Sequence, residues 1–468
     1  HDGVIPDLRR LADAVHAHGA KIVVQACHHG KTSSVDVSEG RPALIPSVPP
    51  PPSDPAGMMA DTTMDELLRM ATLTGGQMPT YAEATVDQLR GIVHAFADAA
   101  ARVQQAGLDG VEVHAAHGYL LSTFLSPAWN RRDDAYGNSL EGRTRLLTEV
   151  ITEVRDRCGP DFAVIVRLDG HEYGVEGGIT IGDAADHARA AVAAGADAVH
   201  VSATSSAGTG VGFTDAPLPW QPNQYEGLAR AVKAAVDVPV LAVGRIRPMD
   251  AERILGDGGA DFVSMGRQLL ADPDLVRRLG DGRPDLVRPC INCFVCVAQN
   301  FWSAKPVCAV NARLGHYDAP DPPVAGSTRH VVVVGGGPGG MECARIAAGR
   351  GHSVTLLEAA DRLGGTARFS SLTTPLNGEF VGFLRSAIAE AGVDVRTGVR
   401  ADADTIAALT PDVVVVATGA RRDRPRLPGM DLPHVLSGDD LRVLLTGDGD
   451  LGAQRPRLPA RLALGAGR

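Results

Sequence analysis

Aromatic residues are scarce in this chain, with 3 Trp, 6 Tyr and 10 Phe making up 4% of 468 residues. Set beside 44% hydrophobic and 21% charged residues and 54 Gly, that scarcity describes a soluble globular protein with Gly-rich turns. There is no run of about 18 apolar residues to span a bilayer, and no basic start followed by an apolar stretch as in a secretory leader. The expected compartment is therefore the cytoplasm, with no membrane partner. A positive charge balance is also lacking. The net charge of −10 argues against nucleic acid as a partner, since phosphate-backbone binders carry a basic face. Cysteine is sparse and uneven: Cys27, Cys158 and Cys343 stand alone in apolar surroundings, and the other four of the seven lie between Cys290 and Cys308. An odd total with one cluster does not suit a disulfide framework. The length exceeds one ordinary core, so two to four domains are expected.

What is present over residues 1–280 is a repeated pattern of a short β-branched run, a polar or Gly end, and an amphipathic helix. The strands are "KIVVQAC", "GVEVHAA", "FAVIVRLDG", "DAVHVSAT", "PVLAVGRI" and "FVSMGR". Between the first two, a helix starts at a Thr85/Gln88 capping box and stops at Gly107. Buried parallel strands alternating with helices give an α/β fold, and this many units favour a TIM (β/α)8-type barrel. Only six units are counted where closure needs eight, and the chain opens on His1 rather than Met, so the first two units are expected to be missing and the strands counted to be the third to eighth. An open six-stranded sheet is the alternative.

Polar residues gather where these strands end, the face on which barrels carry their sites. They are Gln25, His28 and Lys31, then His114, His117 and Tyr119, then Arg167. Two histidines three apart, followed at once by Gly-Tyr, offer two donors for a developing oxyanion and a phenol as proton source. The last two strands each end in Gly-Arg, Gly244-Arg245 and Gly266-Arg267, a pairing suited to a phosphate.

Beyond a cysteine segment over 281–318 and a Pro/Gly-rich linker at 319–328, residues 329–445 begin with "RHVVVVGGGPGG". Gly335, Gly337 and Gly340 follow a valine strand and open a helix, and a second strand ends in Glu358. This is the dinucleotide fingerprint of a Rossmann-like domain, with pyrophosphate at the helix N-terminus and Glu358 on the ribose hydroxyls. In the cysteine segment, Cys290, Cys293 and Cys296 fall within seven residues and Cys308 follows. One loop can wrap a 4Fe-4S cubane that a later turn closes; zinc is the alternative, though its four thiolates usually come as two separated pairs.

The stretch "GLDGVEVHAAHGYLLSTFLSPAWNRRDDAYGNSLEGRTRLL" closely resembles old yellow enzyme-type flavoproteins, and "GADFVSMGRQLLADPDL" resembles the end of their FMN-binding barrel. The resemblance implies that Gln25 and Arg167 hold the flavin ring, with Arg167 offsetting the charge of reduced FMN, and that Gly244, Arg245, Gly266 and Arg267 hold its phosphate. It further implies that His114 and His117 bind the substrate's activating oxygen and that Tyr119 donates a proton. Lys31 stands where Arg is usual and Gly142 where Asn is common. "PDVVVVATGARRDRPRLPG" resembles disulfide reductase-like FAD and NAD(P) domains, which adds Thr418 and Gly419 to the implied nucleotide contacts, joined by Gly365 at the end of the fingerprint run "EAADRLGG".

Together the three parts are similar to the 2,4-dienoyl-CoA reductase and trimethylamine dehydrogenase group. That implies FMN, a 4Fe-4S cluster on Cys290, Cys293, Cys296 and Cys308, and FAD or ADP, with residues 446–468 leading to an NAD(P)H domain that is absent here. The expected activity is NAD(P)H-driven reduction of an α,β-unsaturated carbonyl or enoyl-CoA, with electrons passing through FAD and the cluster to FMN. Phe213-Thr214 replaces the Trp-His pair of dienoyl-CoA reductases, and His114 replaces a Tyr of the amine dehydrogenase. Oxidative N-demethylation of a small amine and a non-catalytic electron-transfer subunit remain alternatives. The partner is a small-molecule substrate, and a homo-oligomer stays open.

Overall fold

The computed structural model describes residues 1–48, 63–206, 212–213, 221–300, 304–316, 324–420, 427–430, 432 and 435–447. They form two compact units, His1–Met265 and Gly266–Arg468.

In the first unit the strands are β1 (Val23–Ala26), β2 (Ala43–Ile45), β3 (Tyr81–Glu83), β4 (Gly110–Ala115), β5 (Ala163–Tyr173), β6 (Ala198–Ser206), β7 (Gly212–Phe213), β8 (Val240–Ala242) and β9 (Phe262–Val263). The order β1-β4-β5-β6-β8-β9 is parallel throughout, and β7 pairs antiparallel with the end of β6. The result is a curled parallel half-barrel built from the six strands legible in the sequence, the last two shorter than the pattern suggests. Its edges, β1 and β9, leave Val23 37% and Phe262 56% exposed. In β4, by contrast, all six residues are buried.

The helix Val86–Gln105 shows why the connections pack. Thr85 and Gln88 form the expected capping box, and Gly107 takes φ 89° just past the end. Leu89, Ile92, Val93, Phe96, Ala97, Ala100 and Val103 repeat at three- and four-residue spacing and are buried on one stripe. The small pair β2–β3, parallel and three residues each, was not legible, because three residues are too few to show a period, and the ten-residue helix Met64–Leu73 was not singled out either. No helix among the described residues is long and apolar enough to cross a membrane.

The second unit opens with the short helix Arg267–Ala271, followed by the cysteine segment. Beyond it, β10 (His330–Val334), β11 (Ser353–Leu357), β12 (Asp394–Arg396) and β13 (Val413–Val416) make a parallel sheet in the order β12-β11-β10-β13. The helices Pro338–Gly349 and Pro375–Glu390 supply Met341, Ala344, Leu384 and Ile388 to a core with Val331, Val333 and Leu356. Of the C-terminal tail beginning at 446, only 446 and 447 are described. Thr214 also lies outside the described residues, while Phe213 ends β7.

Candidate active site

Successive strand residues point to opposite sheet faces, and register partners in a parallel pair point to the same one. Gln25 pairs with Glu112, His114 with Arg167, Arg167 with His200, and Asp169 with Ser202. Steps of two along β4, β5 and β6 add Glu112 to His114, Arg167 to Asp169 and His200 to Ser202. One face of four neighbouring strands thus carries seven polar side chains, where the rest of each strand is largely Val, Leu and Ala.

These residues satisfy one another. Gln25 Nε2 donates to Glu112 Oε1 at 2.5 Å, and Glu112 Oε2 meets His200 Nδ1 at 2.8 Å. Burial pushes the Glu112 carboxyl up, but the His200 and Gln25 hydrogen bonds and the Arg167 charge outweigh it and hold it below the usual range. Arg167 Nη2 donates to Ser202 Oγ at 3.4 Å, and Ser202 Oγ meets His117 Nε2 at 2.7 Å. His200 Nε2 is sealed with no partner among the described residues.

Beyond β4 the chain turns sharply. His117 has φ 65° and Gly118 φ 67°, and the backbone N–H of His117 donates to Asp169 Oδ2 at 2.8 Å. Left-handed backbone is costly for a non-Gly residue, so the carboxylate acts as a clamp on a strained turn. Ser122 Oγ also donates to Asp169 Oδ2, at 2.7 Å, and accepts from Gly118 N–H at 3.2 Å. Asp169 is pushed up to about 7, chiefly by burial, with the Glu172 charge adding.

The turn brings His114, His117 and Tyr119 together. The His114 ring centre is 4.8 Å from that of His117 and 5.0 Å from that of Tyr119, both edge to face. The His29 ring centre lies 5.3 Å from that of Tyr119, also edge to face. Burial, followed by the Arg167 charge, lowers His114 to about 3 and His117 well below its usual value, so both are neutral at physiological pH. Lys31 Nζ sits 3.8 Å over the Trp129 ring, and Trp129 Nε1 donates to Glu172 at 2.9 Å. His28 faces the turn backbone, its Nδ1 accepting Gly30 N–H at 3.1 Å. Neutral imidazole N–H donors beside a phenol and a fixed guanidinium can stabilise an oxyanion and deliver a proton.

Gly244 must be glycine. It has φ 116°, and a Cβ would fall 2.6 Å from the Tyr225 ring. Arg245 follows in the left-handed region at φ 52°. Gly266 caps the helix that opens the second unit, where Arg267 hydrogen-bonds Asn292 and lies 4.7 Å from the Phe294 ring centre.

The same helix staples the cysteine segment. Gln268 donates to Arg288 O at 2.9 Å and accepts from Cys290 N–H at 2.9 Å, and Asn311 donates to Leu270 O at 2.9 Å. Asn292 N–H points at Cys290 Sγ, 3.4 Å away, from a left-handed turn. Burial pushes the Cys290 and Cys296 thiols up, and the other thiols add to it, Cys296 and Cys308 acting on Cys290 and Cys308 and Cys293 on Cys296. No three His, Cys, Asp or Glu side chains among the described residues stand close enough, as placed, to hold a metal ion. The donor set itself is all thiol, with a backbone N–H directed at one sulfur, which suits an iron-sulfur cluster.

At the nucleotide fingerprint, Gly335 has φ 114°, and a Cβ there would fall 2.3 Å from Ala417 O; one on Gly340 would fall 1.9 Å from Gly335 O. The turn through Ala417, Thr418 and Gly419 therefore lies against the glycine-rich loop. Gly337 has nothing within 4 Å of such a Cβ, which leaves the open approach that a pyrophosphate needs. Glu358 holds the loop, accepting Gly336 N–H at 2.6 Å and Ala360 N–H at 2.8 Å, and Gly364 donates to Gly336 O at 2.9 Å beside Gly365 at φ 51°.

Glu112, Asp169, Ser122, His200 and Ser202 were not singled out from the sequence. For Glu112, Asp169, His200 and Ser202 the signal was present all the same, as polar residues two apart on mostly apolar strands, whereas Ser122 lies in the short helix Leu120–Leu125, outside any such pattern.

Residues 1–286 match the NADH:flavin oxidoreductase / NADH oxidase family, and 297–405 match pyridine nucleotide-disulphide oxidoreductase. The chain is 36% identical to the NADH oxidase of Thermoanaerobacter brockii over 472 residues, covering 95% of this chain and 67% of that protein. It is 36% identical over 445 residues to the N,N-dimethylglycine/sarcosine dehydrogenase of Chromohalobacter salexigens, covering 91% and 59%. A solved 2-naphthoyl-CoA reductase complexed with 2-naphthoyl-CoA superposes with TM-score 0.81 at 30% identity, covering 92% of this chain and 64% of that one. The chain thus spans about two thirds of these relatives' lengths or less. With a match running through the whole half-barrel and its paired histidines, the chain belongs to the NADH:flavin oxidoreductase / NADH oxidase family.

Proposed function

We propose that the half-barrel site reduces the C=C bond of an α,β-unsaturated carbonyl compound or an enoyl thioester, at the expense of NAD(P)H. The observation that carries this reading is the neutral His114–His117 pair beside Tyr119. FMN held by Gln25, Arg167, Gly244 and Arg245 would supply the hydride, and FAD and a 4Fe-4S cluster the electrons that renew it. The chain's own residues supply the rest. His114 and His117 bind the carbonyl oxygen as N–H donors and stabilise the negative charge that grows there, a role imidazolium would perform less selectively because it would also bind ground-state anions. Tyr119 O–H gives its proton to the carbon next to the carbonyl. Arg167, fixed between β4 and β6, faces the same negative charge from the strand side.

The second unit supports the electron supply. Its glycines and Glu358 suit FAD or ADP, and Cys290, Cys293, Cys296 and Cys308 suit four thiolate ligands. The likeness to 2-naphthoyl-CoA reductase, whose ligand is an aryl thioester, favours a conjugated thioester or acid. The likeness to N,N-dimethylglycine/sarcosine dehydrogenase favours a second reading, amine oxidation with electrons leaving the site.

Stopped-flow kinetics separate the two. Tyr119→Phe should slow reoxidation by cyclohexenone or an enoyl-CoA by about 100-fold, the scale of a lost general acid, while reduction by NAD(P)H stays near normal. Equal reoxidation rates in both proteins would remove the proton-donor role and favour amine oxidation. For the cluster, protein purified without oxygen should contain iron and acid-labile sulfide; one zinc per chain and no iron would exclude it.

A further inference from the structure

We infer that Ser202 is a positioning residue that fixes which nitrogen of His117 carries the proton, so that His114 and His117 present N–H groups from opposite ring positions. The inference deepens the function proposed above and rests on it for its catalytic meaning, but the argument starts from proton counting. Among the described residues Ser202 Oγ has two neighbours, Arg167 Nη2 at 3.4 Å and His117 Nε2 at 2.7 Å. A guanidinium can only donate. If His117 also donated, the hydroxyl would accept twice and its own proton would have no protein acceptor. The arrangement that satisfies every group has Arg167 donating to Ser202 and Ser202 donating to His117 Nε2. A neutral imidazole has one proton, so that of His117 must sit on Nδ1.

His114 is fixed the other way. Its Nδ1 accepts Ala116 N–H at 3.4 Å, so a neutral ring carries its proton on Nε2. Neither His114 Nε2 nor His117 Nδ1 is among the sealed atoms lacking a partner, unlike His200 Nε2, so neither nitrogen is closed off as that one is. Two N–H donors on edge-to-face rings 4.8 Å apart can then converge on one oxygen. Ser202 is held for this task from both sides. Its strand partner Asp169 clamps the His117 backbone N–H at 2.8 Å, so β5 fixes the main chain of His117 while β6 fixes its ring.

The test reads proton position directly. In full-chain holoenzyme with ring-15N histidine, long-range 1H–15N correlations, assigned against His117→Gln, should show His117 protonated at Nδ1 and His114 at Nε2. Ser202→Ala should give a mixed or Nε2-protonated His117 and weaken binding of p-cresol, a mimic of the enolate oxygen, by about tenfold. Ser202→Thr, which keeps the hydroxyl, should restore both, which a purely structural role for the side chain would not produce. An Nε2-protonated His117 in the unsubstituted protein overturns the inference, as does a Ser202→Ala variant with unchanged correlations and p-cresol affinity. If the unsubstituted protein shows the Nδ1 form yet binds no p-cresol, the ene-reduction reading fails and the role of Ser202 in setting the proton stands.

Discussion

The two halves of this chain build their sites from different material. In the half-barrel the site is made of side chains: Glu112, His114, Arg167, Asp169, His200 and Ser202 cross-link three neighbouring strands, and most of them are buried. In the nucleotide domain it is made of backbone: Gly335, Gly337 and Gly340 shape a loop in which added methyl groups would meet carbonyl oxygens or enter open space. The difference follows from what each is proposed to recognise. A reacting carbonyl needs donors whose protonation states are set, which only side chains in a desolvated pocket provide. A pyrophosphate needs close approach to N–H groups at a helix end, which any side chain would obstruct. The barrel site should therefore be sensitive to charge and pH, and the nucleotide site to volume.

The largest effect expected from that contrast is at Gly340. A Cβ there would fall 1.9 Å from Gly335 O, a collision with backbone that no rotamer relieves. Gly340→Ala should abolish stoichiometric adenine-nucleotide binding and lower the melting temperature of the second unit, since forced overpacking costs about 1–3 kcal/mol or more. Its half-barrel should keep its flavin. Normal nucleotide content in this variant would break the volume half of the comparison.

The charge half is sharpened by Asp169. Its carboxyl is raised by burial from 3.8 to about 7, against the Ser122 hydrogen bond and with the Glu172 charge adding. Between about pH 4 and 7 the folded chain therefore holds a proton that the unfolded chain has released, and stability falls as pH rises through that window. Three pKa units correspond to about 4 kcal/mol at full extent. Asp169→Asn stays neutral throughout and can still accept from the His117 N–H. Its melting temperature should be flatter than that of the unsubstituted protein between pH 4 and 7, and the two curves should diverge most near neutrality. Parallel curves would mean that the carboxyl is not protonated in the fold.

How much of this was legible in the sequence follows the same division. Glycine spacing is a backbone signal, local in the chain, so Gly335, Gly337, Gly340 and Glu358 could be placed from the sequence, and the structure puts them on one loop and strand end. His114, His117 and Tyr119 were legible for the same reason, since they lie within six residues. Ser202 and Asp169 were not, because their meaning depends on register: they are 33 residues apart and become neighbours only when β5 and β6 pair. The six main strands were readable from their β-branched runs. The three-residue strands β2 and β3 were not, because they are held by pairing with each other, with too few residues for a pattern.

Glu358 lies on the boundary between the two kinds of site and gives the smallest of these effects. It is a charged side chain in the backbone-built domain, and its oxygens already accept Gly336 N–H at 2.6 Å and Ala360 N–H at 2.8 Å. Besides holding the loop, it has a proposed second task, offering a charged acceptor to the ribose hydroxyls. Hydrogen bonds to a charged group contribute about 1.5–3 kcal/mol, so Glu358→Ala should weaken adenine-nucleotide binding by roughly 10- to 100-fold. It should also loosen the loop, seen as faster amide exchange at Gly336. Glu358→Gln keeps the length but only one acceptor oxygen, so it should retain one of the two loop hydrogen bonds, loosen the loop less than Ala does, and lose the charge-assisted part of the affinity. If both variants bind nucleotide as the unsubstituted protein does, recognition in this domain rests on backbone alone. If Gln weakens nucleotide binding as much as Ala while amide exchange at Gly336 stays slower than in Ala, the carboxylate charge is the property that counts, and the contrast between the two sites is narrower than their construction suggests.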